Sequence, residues 1–349
     1  MIHLKPQLLA DLDVGGEQAV TTALQRALEL EHSTIPPYLY ALYSLDENKN
    51  GAIADIIQSI VIEEMLHMTL VCNILNALGG SPVIDNPKFI PIYPGPLPGG
   101  VEADLTVGLA PFSIDVVHDV FMTIEEPEDP LKFPVAMALV AAAKPVTIGQ
   151  FYHEIKEKII SLGDRAFCRE PRNQIGPNRM DEAVVVTDVS TAVQAINTIV
   201  EQGEGTSKSP LEKVGDDYAH YYRFAEIYHG KQLIKNPNAN PTTPPDKQFI
   251  FGGPPVPFRQ DGVFPLPTNP KAADYPVGSA ARHACDTFNY TYTSLLKSLD
   301  TVFNGNADQL ATAIGLMMSL KVQAKNMMSG IPNPSVHVGP SFEYQPVNP

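Results

Sequence analysis

IVIEEMLHMTLVCNILNA, residues 60–77, is the stretch that decides the fold. Around and within it, apolar residues recur at Ile53, Ile57, Ile60, Val71, Ile74 and Leu78. These alternating steps of three and four mark one face of a helix. The two positions that complete the stripe are Glu64 and His67. A carboxylate and an imidazole therefore sit one turn apart in the middle of a core-facing stripe.

The same pattern returns elsewhere. In the segment ending LEHSTIPPYLYALYS, residues 30–44, the stripe is Val20, Leu24, Leu28, Ile35 and Tyr38, and Glu31 falls in phase with it. Glu29 and His32 share a face with Gln25, Arg26 and Ser33 and read as a solvated pair. Pro36 and Pro37 remove backbone donors and disfavour helix at Ile35. A kink just past Glu31 is expected, or the start of a second helix, since proline is favoured in a first turn.

A second Glu-x-x-His lies on the stripe Leu211, Tyr218, Tyr222, Leu233, as Glu226 and His229. His220, in AHYYRF, is the alternative to His229, in poorer phase. Tyr222, one turn before Glu226, is the tyrosine best placed to support a ligand. Between the two motifs, TIGQFYHEIKEKIISL (residues 147–162) carries a stripe of Ile148, Phe151, Tyr152, Ile155, Ile159 and Leu162. Glu154 borders that stripe and is the candidate there; a rim charge paired with Lys158 is the plainer alternative.

One Glu-x-x-His is a weak signal, but two on apolar stripes, with Glu31 in phase, are a strong one. An unpaired buried carboxylate costs several kcal/mol. Several facing one core would exceed the roughly 5–15 kcal/mol net stability of a domain. They need protons or cations. Four carboxylates balance two divalent ions, and two imidazoles add neutral nitrogen ligands. Oxygen-rich donors with one histidine per ion suit iron or manganese better than zinc or magnesium. Glu31, Glu64, His67, Glu154, Glu226 and His229 together match the ligand set of ferritin-like di-iron and di-manganese bundles.

Composition sets the frame. The chain has 349 residues, 44% hydrophobic and 18% charged, as a globular protein should. A net charge of −15 with no basic patch argues against nucleic acid. No window is expected to span a membrane and no signal peptide is expected at the N-terminus. Three scattered cysteines, Cys72, Cys168 and Cys285, make no framework and suit a reducing cytoplasm.

The 33 prolines cluster and so divide the chain. The expected fold is mainly α, a single domain over 1–349. Its four bundle helices are expected at about 17–45, 50–79, 147–162 and 211–234. Shorter helices are expected at 113–125, stopped by Pro127 and Pro130, and at 188–202. AVVVTD (183–188) reads as a short strand. Two Pro-rich excursions, 82–111 and 236–278, are expected to be ordered and to close a pocket. Extra C-terminal helices follow at about 279–303 and 307–329.

LEHSTIPPYLYALYS, IEEMLHMTLVCNILNALGGSP, TIGQFY, AHYYRFAEIYHG and GPSFEY resemble the ferritin-like proteins related to iminophenyl-pyruvate dimer synthase. These are the dimerising enzymes of violacein and rebeccamycin biosynthesis. The resemblance runs from about Leu24 to the tail. It implies a ferritin-like bundle, a non-haem iron centre and oxidative chemistry on an amino-acid-derived imine. It carries Glu31, Glu64, His67, Glu226 and His229 over as ligands. Gln150 stands where some relatives are expected to have an acid. The expected cofactor is two iron ions, with manganese as the alternative. The expected partners are a small-molecule substrate and dioxygen or peroxide, with a homo-oligomer left open. Iron storage or detoxification, and a non-catalytic accessory role, are the competing functions.

Overall fold

The computed structural model describes residues 12, 15–98, 105–127, 148–203, 210, 217–244, 247–330 and 337–345. Two long helices build the frame: α1, Glu17–Tyr43, and α2, Glu47–Ala77. Asp46 starts α2 by accepting a hydrogen bond from the Asn48 amide at 3.1 Å, satisfying one of the unpaired first-turn donors. The apolar stripe of α2 lies where the 3.6-residue period puts it, with Ile53, Ile57, Ile60, Val71 and Ile74 fully buried. Each such side chain contributes about 1.5–3 kcal/mol.

Helix α1 runs unbroken through Pro36 and Pro37. The Ser33 carbonyl has no helical donor three or four residues on, because both positions are prolines. The Tyr93 hydroxyl, from the first Pro-rich excursion, donates to it at 2.7 Å. The backbone break that does occur is in α2, at Asn50 (φ −124°, ψ 33°). Its side-chain amide bonds to the Arg259 and Gly262 carbonyls and to the Arg259 amide, tying the second excursion to the bundle.

A short helix, α3, combines Ile114–Val116, a π-turn at Val117–Phe121, and Met122–Ile124. Helices α4 (Ile148–Leu162) and α5 (Val189–Gln202) follow. α5 opens on a capping box between Asp188 and Thr191. α1 packs on α2, α2 on α5, α5 on α4 and α4 on α1. The four-helix ring thus closes through α5. The helix expected at 211–234 is shorter: α6 spans His220–His229 and lies against α2 and α3. Residues 211–216, with Leu211, lie outside the described residues.

Gly230, at φ 67°, stops α6 in the left-handed conformation that glycine adopts without strain. The chain then turns into a two-stranded antiparallel hairpin, β1 (Lys231–Lys235) with β2 (Phe249–Pro255). AVVVTD is not a strand. Side-chain amides satisfy its backbone instead: Gln174 bonds both polar groups of Val186, and Asn73 donates to the Val184 carbonyl. Two C-terminal helices, α7 (Ala280–Asn304) and α8 (Leu310–Ser329), pack on each other and against α1 and α2.

Parts of both excursions fold onto the bundle. Phe89 and Phe249 are buried, whereas Ile92 is 82% exposed. Residues 99–104 and 245–246 lie outside the described residues. One expectation about membranes needs correcting. α2 has the length and apolarity of a membrane span. However, 83% of that window is buried inside the protein, which makes it a core helix.

Candidate metal centre

Among the described residues, three glutamates and two histidines meet inside the bundle: Glu31 from α1, Glu64 and His67 from α2, Glu125 at the end of α3, and His220 at the start of α6. All five are buried. They form two triads, Glu31–Glu64–His67 and Glu64–Glu125–His220, whose donor atoms lie within 4.8 Å of one another in each. Glu64 belongs to both. Its Oε1 lies 2.9 Å from His220 Nδ1, and its Oε2 accepts from the Thr34 hydroxyl at 3.0 Å. The outer carboxylates are each held by a tyrosine. Tyr152 donates to Glu31 Oε1 at 2.5 Å and Tyr38 to Glu125 Oε1 at 2.6 Å.

The hydrogen bonds behind the imidazoles fix their tautomers. Gln202 donates its Nε2 to Glu182 Oε2 (2.6 Å) and so turns its Oε1, an acceptor, to His67 Nε2 (3.1 Å). The proton on His67 is therefore at Nε2, and Nδ1 faces Glu31 Oε2 at 3.4 Å. Likewise His220 Nε2 faces the Glu63 carboxylate at 3.0 Å. Its Nδ1 points between Glu64 and Glu125 Oε2 (3.5 Å), fully buried and without an aligned hydrogen bond. Both rings turn an Nδ1 lone pair toward carboxylate oxygens. Acceptor facing acceptor is stable only with a cation or an extra proton between them.

The electrostatics show the proton alternative. Burial, and then the charge of Glu125, push Glu64 up to about 7. Burial lowers His67, yet its hydrogen bond to Glu31 and the charges of Glu64 and Glu31 raise it on balance. His220 is likewise opposed by burial but held well above its usual value by Glu125, Glu63 and Glu64. With no cation, the cluster keeps protons that a divalent ion would replace. The donor set of three carboxylates and two imidazoles fits two such ions.

The structure brings together Glu31, Glu64 and His67 from the sequence-based set. It places Glu226, His229 and Glu154 elsewhere. Glu226 Oε1 accepts the Leu233 amide at 2.8 Å, at the turn from α6 into β1. His229 is half-buried and stacks on Phe251, ring centroids 4.0 Å apart. Glu154 is partly exposed, because α4 buries Phe151, Tyr152, Ile155 and Ile159 instead. It is the Tyr152 hydroxyl, not a carboxylate of α4, that reaches the cluster.

His220, in poorer phase, takes the place given to His229. Nearly every side of α6 is buried, so its apolar period does not single out one face. Glu125 was missed, yet Val117, Phe121 and Glu125 are spaced four apart, as a continuing stripe would be. The tyrosines that touch the cluster are Tyr38 and Tyr152. Tyr222 packs with Ala219, Leu233 and Phe249. His32 is not solvated: it is 3% exposed, bonded to the Tyr292 hydroxyl at 2.8 Å and packed on Phe89.

A cavity adjoins the cluster. Its polar side is Glu31, Thr34, Glu64, His67 and Glu125, and its other walls include Leu30, Ile124, Ile148, Ile199 and Val200.

Fold and site together define a helical-bundle protein with a buried carboxylate–histidine centre able to hold metal. The chain belongs to the ferritin-like family, whose model matches residues 24–229. A crystal structure of a ferritin-like protein from Caulobacter vibrioides is similar in fold, with a TM-score of 0.58 and 23% identity. The likeness covers 93% of this chain and 97% of that one. No curated protein matches the chain.

Proposed function

We propose that the protein is a non-haem, two-metal oxidoreductase acting on a small, amino-acid-derived imine, in the manner of iminophenyl-pyruvate dimer synthase. The observation that carries this is the pair of buried carboxylate–histidine triads sharing Glu64, with a small cavity of about 30 Å³ beside them. Leu30, Ile124, Ile148, Ile199 and Val200 give it apolar walls down to the carboxylates. Apolar walls suit an organic molecule and make a poor path for hydrated ions. Storage or detoxification of iron is the second reading, favoured by the fold alone.

Glu31, Glu64 and His67 would hold one ion, and Glu64, Glu125 and His220 the other. Iron fits this donor set best, with manganese next. A bound redox metal supplies electrons to dioxygen or peroxide. The chain's own residues do the rest. Tyr152, Tyr38 and Thr34 donate to the three carboxylates and hold their orientation. Gln202 and Glu63 keep the imidazole protons at Nε2, so both Nδ1 atoms stay turned inward. The apolar walls exclude water from the reacting substrate.

The three free cysteines suit a cytoplasmic setting, and the net charge of −15 suits a protein without nucleic-acid partners. The deciding experiment measures oxygen uptake by iron-loaded protein with and without amino-acid imines. Substrate-dependent uptake is expected. If no organic compound changes the rate and iron accumulates well beyond two per chain, storage takes its place.

A further inference from the structure

We infer that the two ion positions are unequal, and that the Glu64–Glu125–His220 position binds more tightly and fills first. This rests on the two-ion reading above. The triads match in their inner donors. Each has its own glutamate, one imidazole through Nδ1, and a share of Glu64. Each also has one tyrosine hydroxyl on its own glutamate. The difference lies behind the imidazoles.

His67 leans on the neutral amide of Gln202, whose own partner, Glu182, is exposed. His220 leans directly on a carboxylate, Glu63 Oε2. Charge-assisted hydrogen bonds are about twice as strong as neutral ones. A carboxylate behind an imidazole makes the ring a stronger ligand, and losing such a partner costs about 10–100-fold in metal affinity.

Glu63 is fixed for this task. Its other oxygen accepts from Arg223 Nη1 at 2.6 Å, and Arg223 also donates to Ser59. Ser59 and Glu63 lie one turn apart on α2, and His220 and Arg223 one turn apart on α6. The two helices therefore present a four-residue clamp, and Arg223 is itself buried. Arg223 orients Glu63 but also draws on its charge. Glu63 and Arg223 are thus positioning residues that act on the ion through His220. Within the clamp one charge strengthens the His220 position and the other moderates it.

The test is an anaerobic titration of metal-free protein with Mn(II), followed by calorimetry, with a crystal grown at one equivalent to locate the ion by anomalous scattering. Two steps about tenfold or more apart are expected, with the first ion beside His220. E63Q should weaken the first step about tenfold or more and spare the second. If E63Q fails to fold, the parent protein decides alone: a tighter first ion located beside His220 supports the inference, and a first ion beside His67 overturns it. Two equal steps or an unchanged first step in E63Q also overturn it. A protein that takes up no second ion would instead sink the two-ion reading itself.

Discussion

The Tyr93 hydroxyl donates to the Ser33 carbonyl at 2.7 Å, and Ser33 is the residue whose carbonyl Pro36 and Pro37 leave without a helical donor. A pair of helix-interrupting residues is thereby tolerated five and six residues past Glu31. The donor comes from a segment 60 residues away in sequence.

That bond can be tested on stability. Tyr93→Phe leaves a buried carbonyl unsatisfied, at a cost of about 1–3 kcal/mol. Pro37→Ala in the Y93F background restores a backbone donor and should recover part of the loss. Chemical denaturation of the single and double variants measures both steps. Equal stability of Y93F and the parent would show that the Ser33 carbonyl has another donor.

Metal content separates the two glutamates that compete for the site. Glu125→Ala and His220→Ala should each remove about one ion per chain, because each takes a donor from a three-residue position. Glu226→Ala and His229→Ala should keep the full complement, since these residues serve the turn into β1 and the stack on Phe251. Elemental analysis of purified variants decides. Retention in H220A with loss in H229A would reverse the assignment.

Stability of the metal-free protein should fall as pH rises through about 7. Glu64 is raised to about 7 by burial and by Glu125, and His67 and His220 are raised by their carboxylate neighbours against the effect of burial. The folded state therefore holds more protons than the unfolded chain in this window, and stability decreases with pH. Metal binding displaces those protons, so its affinity should rise with pH over the same range. Melting temperatures from pH 6 to 8, with and without Mn(II), should show a downward slope only for the metal-free form. Glu63 acts at the acid end: against the effect of burial, His220 and Arg223 lower it to about 2. Its stabilisation is lost as pH falls from about 4.5 toward 2.

The cavity wall offers a test that leaves the ligands alone. Val200→Phe narrows the space beside the cluster. It should cut imine-dependent oxygen uptake by on the order of 100-fold, as misplacement of a substrate does, while metal content stays unchanged. Uptake equal to that of the parent would show that substrate does not occupy this cavity.

The long helices were legible in the sequence because they are long. Over the 31 residues of α2 the apolar period has enough turns to fix a face, so Glu64 and His67 could be placed on it from spacing alone. The same holds for Glu31 on the 27 residues of α1. Local geometry sets where these side chains point, and local geometry is written in the chain.

The other half of the centre depended on the tertiary structure. α6 has only 10 residues and is buried on most of its sides, so burial there does not select a face. His220 was chosen over His229 because the start of α6, where the His220 amide bonds to the Gly203 carbonyl, faces the bundle. His229, nine residues on at the far end of α6, stacks on Phe251 instead. Glu125 sits just past a helix of a few turns that contains a π-turn, where the two spacings of four from Val117 through Phe121 are too few to fix a face. On α4 the ring of Tyr152 packs in the core, and its hydroxyl supplies the polar contact expected of Glu154. The sequence alone placed Glu31, Glu64 and His67 inward on the long helices, but not His32, which only packing against Phe89 and Tyr292 buries. Which short elements completed the site was decided by packing between segments far apart in the chain, which no local period records.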